Sequence, residues 1–200
     1  MKDTYIDKTA IVDNGAKIGK GTKIWHFSHI MKGAIIGNEC SLGQNCFVGD
    51  RAVIGNGVKI QNNVSVYGMV TIEDDVFVGP SAVFTNDLNP RASYPKNGDW
   101  VPTLIKKGAS IGANATIVCG TTIGEWSFIA AGAVVTKNVS DFALVAGVPA
   151  KIIGWMCECG ERLSFDVENK DQKEIIINTC PKCGRKYEKI ENSIKQIKGK

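Results

Sequence analysis

The sequence predicts an all-β protein built as a parallel β-helix, with a long loop inserted late in the coil and a small cysteine-bearing unit after it. Three observations carry that prediction. An aliphatic or large apolar residue falls on every sixth position from Ile6 to Phe84. The period then breaks and resumes at Ile105. Two close cysteine pairs follow near the C-terminal end.

The periodic series is Ile6, Val12, Ile18, Ile24, Ile30, Ile36, Leu42, Val48, Ile54, Ile60, Val66, Ile72, Val78 and Phe84. Four positions after each comes a small or β-branched residue, from Ala10 and Ala16 through Cys40 and Cys46 to Ala82, with Leu88 the exception. A period of six fits neither a helix nor a plain amphipathic strand. Six is a multiple of two, so both residues share one face of an extended segment. A short strand and a turn, repeated, keep that face inward. Three such hexads close a triangular coil, and stacked coils make a β-helix. Turn formers stand where corners are required, as Asn14-Gly15, Asn45 and Asn56-Gly57, and Gly directly follows the aliphatic at Gly19, Gly37, Gly43, Gly49, Gly55 and Gly79. A β-sandwich with evenly spaced strands is the competing architecture; fourteen hexads in one register argue against it.

Composition agrees. Two hundred residues suit one main domain with a small appendage. Aromatic residues make up only 8% of the chain, which fits a narrow interior of branched aliphatic and small residues. A formal charge of +4 permits an anionic small ligand and does not argue for nucleic acid. The start, Met1-Lys2-Asp3-Thr4, has no apolar leader core, and no apolar run is long enough for a bilayer, so no membrane partner is expected. Seven cysteines, four of them clustered, read as metal-binding thiols in the cytoplasm rather than a disulfide framework.

Residues 1–5 lead into the first coil. Trp25-His26-Phe27-Ser28-His29 is unusually rich in rings; His26 should lie near a corner and His29 should face outward. Nothing else in the sequence ties these histidines to chemistry, which favours solvated or interface side chains over a ligand site. Cys40 and Cys46 occupy small inward positions and read as core fillers. Cys119 lies at a corner, with no role assigned. Residues 86–104 carry three prolines, several turn formers, a Tyr and a Trp, and no hexad pattern. Phe84 and Ile105 are 21 positions apart, so this loop is an insertion in the stack. A loop of this length on a rigid scaffold is usually functional, and it has the reach to cover a neighbouring subunit. The series then runs Ile105, Ile111, Ile117, Ile123, Ile129 and Val135, with Ala109, Ala115, Thr121, Ser127, Ala133 and Val139 four later. Residues 141–154 leave the repeat and are expected to close the open end of the coil, whose edge is otherwise a hazard.

The composition then changes. Cys157-Glu158-Cys159-Gly160 and Cys180-Pro181-Lys182-Cys183-Gly184 place two thiol pairs, each followed by Gly, with twenty residues between Cys159 and Cys180. Count and spacing match a zinc ribbon over residues 155–190, with Cys157, Cys159, Cys180 and Cys183 as ligands, although the first pair is C-x-C rather than C-x-x-C. Four thiolates fill a tetrahedral site, so the metal should be structural. Residues 185–200 read as basic and polar, with 191–200 a solvated tail.

The hexads (IGNECS, LGQNCF, VGDRAV, IGNGVK) resemble those of the left-handed β-helix acyltransferases, over residues 6 to about 154. The resemblance implies a left-handed coil, a homotrimer, and acetyl-CoA sites between adjacent subunits. GVPAK (147–151) resembles the segment that ends the coil and borders the CoA site in that family, which makes Lys151 a candidate for CoA phosphates. KIWHFSHI (23–30), VFTNDLNPRA (83–92), GVPAKIIGWMCECGERL (147–163) and CPKCGRKYE (180–188) together resemble bacterial nucleotide-sugar N-acetyltransferases. Those enzymes acetylate the 3-amino group of UDP-2-acetamido-3-amino-2,3-dideoxy-glucuronate for surface polysaccharide (O-antigen) precursors. The resemblance implies that Asn86 sits beside the reacting amine, where its amide oxygen can accept a hydrogen bond and aim the lone pair. Asp87 is the rival as a carboxylate base, and both residues also suit a simple turn cap. Arg91 and Lys96 are loop cations that can meet a uronate or phosphates. Tyr94 and Trp100 can stack on a base or pin the loop. No histidine lies beyond residue 29, so the histidine base common among such acyltransferases is missing from the loop and later coils.

Three competing readings share these features. An acetyltransferase for a dTDP-linked 3-amino-hexose has the same fold. A γ-carbonic anhydrase needs three histidine ligands, and the chain has two histidines. A non-catalytic binding protein using the ribbon lacks the interleaving of basic and aromatic residues that nucleic acid requires.

Overall fold

In the computed structural model, residues 3–166, 175–191 and 193–197 are described. Among them the secondary structure is all strand and turn, without a helix. The hexads wind into a three-sided parallel solenoid. Face A stacks Tyr5–Ile6, Lys23–Ile24, Ser41–Leu42, Lys59–Ile60, Phe77–Val78, Ser110–Ile111 and Phe128–Ile129. Face B stacks Ile11–Val12, His29–Ile30, Phe47–Val48, Ser65–Val66, Val83–Phe84, Thr116–Ile117 and Val134–Val135. Face C stacks Lys17–Ile18, Ile35–Ile36, Val53–Ile54, Val70–Ile72, Thr103–Ile105 and Thr122–Ile123. The chain visits A, B and C in turn, and a coil is numbered here by its face A strand.

The register follows from the period. Ile6 pairs with Ile24, Ile24 with Leu42, and Leu42 with Ile60, so one coil is eighteen residues. Inward aliphatics therefore stack on one another along each face. From Ile24 to Val135 they are buried, most of them completely. Cys40, Cys46 and Cys119 are buried too, and desolvation first of all pushes the Cys40 and Cys46 thiols up from their ordinary acidity.

Corners repeat as strictly as strands. Asn45 and Gly57 adopt left-handed backbone, with φ of 56° and 68°. At Gly37 the constraint is space: an added Cβ would stand 2.5 Å from the carbonyl oxygen of Gly55 one coil on. Asparagine side chains tie the C/A corners together, Asn38 Oδ1 accepting from Lys20 N and Asn56 Oδ1 from Asn38 N, both at 2.9 Å.

Two expectations need correction at the C-terminal end. The segment after Val139 does not simply fold across the last coil. Ala143–Ala146 adds one more parallel rung to face A beside Phe128–Ile129, because Ala143 and Val145 alternate inward as in any other rung. The chain then reverses, and Lys151–Met156 pairs antiparallel with that rung and with Arg162–Leu163. This strand carries face A past residue 154 into the thiol region, where Trp155, Leu163 and Tyr187 are buried. The expected tail is also partly structured. Ser193–Ile197 is a strand paired with Lys186–Ile190, which in turn pairs with Ile176–Thr179. Ile194 alternates with polar neighbours and is buried, a period of two hidden by the surrounding lysines. Residues 198–200 of that tail, like Met1 and Lys2 at the start, lie outside the described residues.

Candidate functional site

The B/C edge turns the same way coil after coil, through Lys32-Gly33, Asp50-Arg51 and Gly68-Met69, until coil 5. There the chain leaves the stack at Asn86 and re-enters at Thr103. The base of this loop is closed by main-chain bonds. Val101 N donates to Asn86 O at 3.0 Å, Thr103 N to Met69 O at 3.1 Å, and Gly120 N to Pro102 O at 3.1 Å. The Asn86 main chain is thus fixed on the scaffold, while its half-buried carboxamide has no hydrogen-bond partner among the described residues. Asp87 is engaged differently: its Oδ1 accepts from Asn89 N at 3.0 Å and caps the turn.

The loop then doubles back. Arg51 in coil 3 donates from Nη2 to Gly98 O at 3.2 Å and is itself braced by Asp50 at 3.1 Å. The insertion therefore lies along the B/C edge, from coil 5 down to coil 3. Arg91, Tyr94 and Lys96 are all on its exposed side, Tyr94 being 77% exposed, and Trp100 is half-buried. Lys151 stands apart from this group. It is exposed at the hairpin beyond coil 7, opposite Ala146.

A second constellation escaped the sequence reading. At the A/B corner of coil 2, His26 Nε2 lies 3.3 Å from Asp7 Oδ2; the Asp7 side chain is 8% exposed and that of His26 48%. Asp7 also accepts from Thr9 N at 2.9 Å, Thr9 Oγ1 at 2.7 Å and the Tyr5 hydroxyl at 3.0 Å. The two Thr9 bonds, then Tyr5 and His26, hold its carboxyl below the usual carboxylate range. His29 is likewise paired, with Asp13 at 3.2 Å, and its ring meets Phe47 edge-on. The signal was available: a coil is eighteen residues, which puts Asp7 beneath Trp25 and beside His26.

The four predicted thiols converge. The Sγ atoms of Cys157, Cys159, Cys180 and Cys183 all lie within 4.8 Å of one another. Cys157 and Cys183 are 3.4 Å apart, and Cys159 and Cys180 3.6 Å. A tetrahedron of ~2.3 Å zinc–sulfur bonds has sulfur–sulfur edges of about 3.8 Å, so the donor set fits that ion. Gly160 and Gly184 both take left-handed backbone, and their amides donate to Cys157 O and Cys180 O, closing the two knuckles. Tyr187 packs edge-on against Phe142 and places its hydroxyl 3.1 Å from Cys157 Sγ, which joins the unit to the end of the solenoid.

With this geometry in hand, comparison with known proteins is informative. The dTDP-3-amino-3,6-dideoxy-alpha-D-galactopyranose 3-N-acetyltransferase of Aneurinibacillus thermoaerophilus is 41% identical over 95 residues, 48% of this chain and 45% of that protein. A 2,3,4,5-tetrahydropyridine-2,6-dicarboxylate N-acetyltransferase of Staphylococcus aureus is 39% identical over 83 residues, 42% of this chain and 32% of that protein. The chain thus spans less than half the length of these relatives. The acetyltransferase domain of PglB from Neisseria gonorrhoeae, solved with acetyl coenzyme A, shares the fold at a TM-score of 0.51 and 24% identity, covering 76% of this chain and 58% of that one. The bacterial transferase hexapeptide (six repeats) family matches residues 15–50, 51–86 and 102–137. That match stops and restarts at the two ends of the inserted loop. Matched over more than half its length, in the register its corners and strands display, the chain belongs to the bacterial transferase hexapeptide family.

Proposed function

We propose that this protein is an acetyl-CoA-dependent N-acetyltransferase acting on the 3-amino group of a nucleotide-linked sugar. The observation that carries the reading is the free carboxamide of Asn86, on a main chain fixed at the one corner where a family solenoid opens into a long loop. The amine attacks the thioester carbonyl. The new C–N bond forms, the C–S bond breaks, and the amine's proton leaves with the departing CoA thiolate. Asn86 Oδ1 accepts an amine N–H and orients the lone pair; Arg91 and Lys96 meet the substrate's anionic groups, and Lys151 meets CoA phosphates. Tyr94, exposed on the same loop, is available to stack on the substrate. Asp87, with one oxygen committed to its turn, supports the loop rather than moving a proton.

The working unit is a left-handed trimer in the cytoplasm, joined through face B. The outward side chains of that face are Ile11, His29, Phe47, Ser65, Val83, Thr116 and Val134, with no lysine, arginine or carboxylate, whereas face A presents Lys23 and Lys59 and face C Lys17. The four thiols hold a structural zinc that braces the solenoid's end; such an ion supplies folding energy and no chemistry.

The first substrate to test is UDP-2-acetamido-3-amino-2,3-dideoxy-glucuronate. A dTDP-linked 3-amino-hexose is the second, favoured by the Aneurinibacillus relative. Thiol release from acetyl-CoA, measured over a panel of UDP- and dTDP-linked 3-amino sugars, separates them. A zinc-loaded, folded protein with no turnover on any amine overturns the catalytic reading in favour of a binding protein.

A further inference from the structure

We propose that the groove on the A/B edge, walled by Trp25 and His26, seats the pyrimidine base of the substrate, and that the loop of a neighbouring protomer closes it. The inference rests on the acetyltransferase reading and deepens it.

The groove has a volume of about 260 Å³ and spans the corners of coils 2 to 4, with Trp25 and His26 below and Gln44, Gln61 and Asn62 above. It is built rather than incidental. The nearly buried Asp7 carboxylate gathers Tyr5, two donors of Thr9 and His26, so the imidazole is held in one orientation with its other edge open. Trp25 is held against Tyr5, their rings 5.3 Å apart. Phe27 takes the same left-handed backbone at φ 59° as Asn45 and Asn63 at this corner of the next two coils, and it is 67% exposed. Its amide is tied to Thr9 Oγ1 at 3.0 Å. Asn62 Oδ1 accepts from Gln44 N at 3.0 Å, which leaves the Asn62 amide nitrogen to donate outward.

An aromatic wall, an oriented imidazole and carboxamide donors suit a flat ring edged with carbonyl oxygens. The volume holds one ring system and not a whole sugar nucleotide. A pyrimidine imide satisfies both conditions, and uracil and thymine share it, so the groove serves either substrate of the preceding reading. No cation lines it. The diphosphate must be met elsewhere, and Arg91 and Lys96 have no ion-pair partner among the described residues.

Position within the solenoid supplies the second half of the argument. His26 stands at coil 2 and Asn86 at coil 5, a rise of about 14 Å at the usual strand spacing. They lie on opposite edges of face B, so a ligand bound at both within one chain would have to cross that face. In a three-fold ring closed through face B, the A/B edge of one protomer meets the B/C edge of the next at equal height. The groove, over coils 2 to 4, then faces the loop, which descends from coil 5 to its anchor on Arg51 in coil 3. Base in the groove, diphosphate at the loop and amine at Asn86 follow in order.

The test uses full-length zinc-loaded protein. Calorimetry measures UDP and dTDP binding, and steady-state kinetics measure KM for the active nucleotide sugar, for wild type and for Trp25→Ala, His26→Gln and Gln61→Ala. Trp25→Ala and His26→Gln are expected to weaken UDP binding and raise KM roughly tenfold, in line with the loss of a stacked base, while kcat and acetyl-CoA affinity stay within a few-fold. ADP and GDP bind more weakly than UDP. Should Trp25→Ala misfold, His26→Gln and Gln61→Ala carry the measurement. Mixed oligomers of Trp25→Ala and Asn86→Ala chains, assayed below KM, are expected to regain activity because one interface in the ring is then intact. Unchanged UDP affinity in the folded variants overturns the groove assignment, as does a fall in kcat at constant KM. Absence of recovery in mixed oligomers overturns the shared site. In each of those cases a wild type that acetylates nucleotide-linked amines leaves the acetyltransferase reading standing; equal turnover of amino sugars lacking the nucleotide overturns both.

Discussion

The solenoid and the thiol unit that follows it reach stability by opposite routes. In the hexads of the solenoid each strand is two or three residues long, yet every interior coil is paired above and below, and its inward side chains are buried to within a few per cent. Stability is a sum of similar neighbour contacts, so damage should be graded and local. The thiol unit buries few large side chains, chiefly Trp155, Leu163, Phe165, Tyr187 and Ile194. A unit that small cannot offset its chain entropy by burial and needs a staple. Repetition lets the scaffold carry an open loop at one corner without loss; the thiol unit has no such redundancy.

The largest expected effect tests that contrast directly. On the proposed zinc-bound reading, chelation, or replacing Cys180 with Ser, should unfold the thiol unit, because a structural zinc contributes on the order of 10 kcal/mol at neutral pH. Hydrogen exchange should become fast across Lys186–Ile190 and stay slow at Lys59–Ile60. Uniform protection in the metal-free protein would show that the thiols need no ion. Next comes Ile60→Ala, which should cost about 2–5 kcal/mol in denaturant unfolding as a cavity opens in coil 4. Gly37→Ala should cost about 1–3 kcal/mol, since its Cβ would meet main chain and not a flexible side chain. A neutral result in either would break the claim that the coils are close-packed.

Asn86→Ala should lower kcat about a hundredfold with an unchanged unfolding midpoint, the signature of lost orientation on an intact scaffold. Full activity would return Asn86 to the role of a turn residue. The smallest effect concerns the first coil. The Asp7 carboxyl is held below its usual range in the folded protein, so its contribution is complete above the unfolded value of about 3.9 and is lost as pH falls through the lower folded value. Wild type should therefore lose stability relative to Asp7→Asn on acidification, read as the unfolding midpoint at stepwise lower pH. Parallel curves would remove Asp7 from the account of that corner.

Much of the molecule was legible in advance. The hexads marked every solenoid strand from Tyr5–Ile6 to Val134–Val135 because an inward aliphatic and a turn are both local requirements. The inserted loop was legible as a failure of the period, and the thiol pairs as a spacing. The Ala143–Ala146 rung was harder, since it follows its partner by sixteen residues instead of eighteen and so falls outside the repeat. Ser193–Ile197 was missed because its alternation is short and its outer residues are polar.

The sequence by itself determined the coil, its register, the place where it opens and the four thiols that cluster, because each depends on residues a fixed distance apart along one chain. Only the tertiary structure decided that Asp7 holds His26, that Arg51 draws the loop down to coil 3, and that Tyr187 seals the thiol unit onto Phe142. Those contacts join side chains brought together by stacking and docking, and the direction a side chain takes at a corner is set by its neighbours in the adjacent coil.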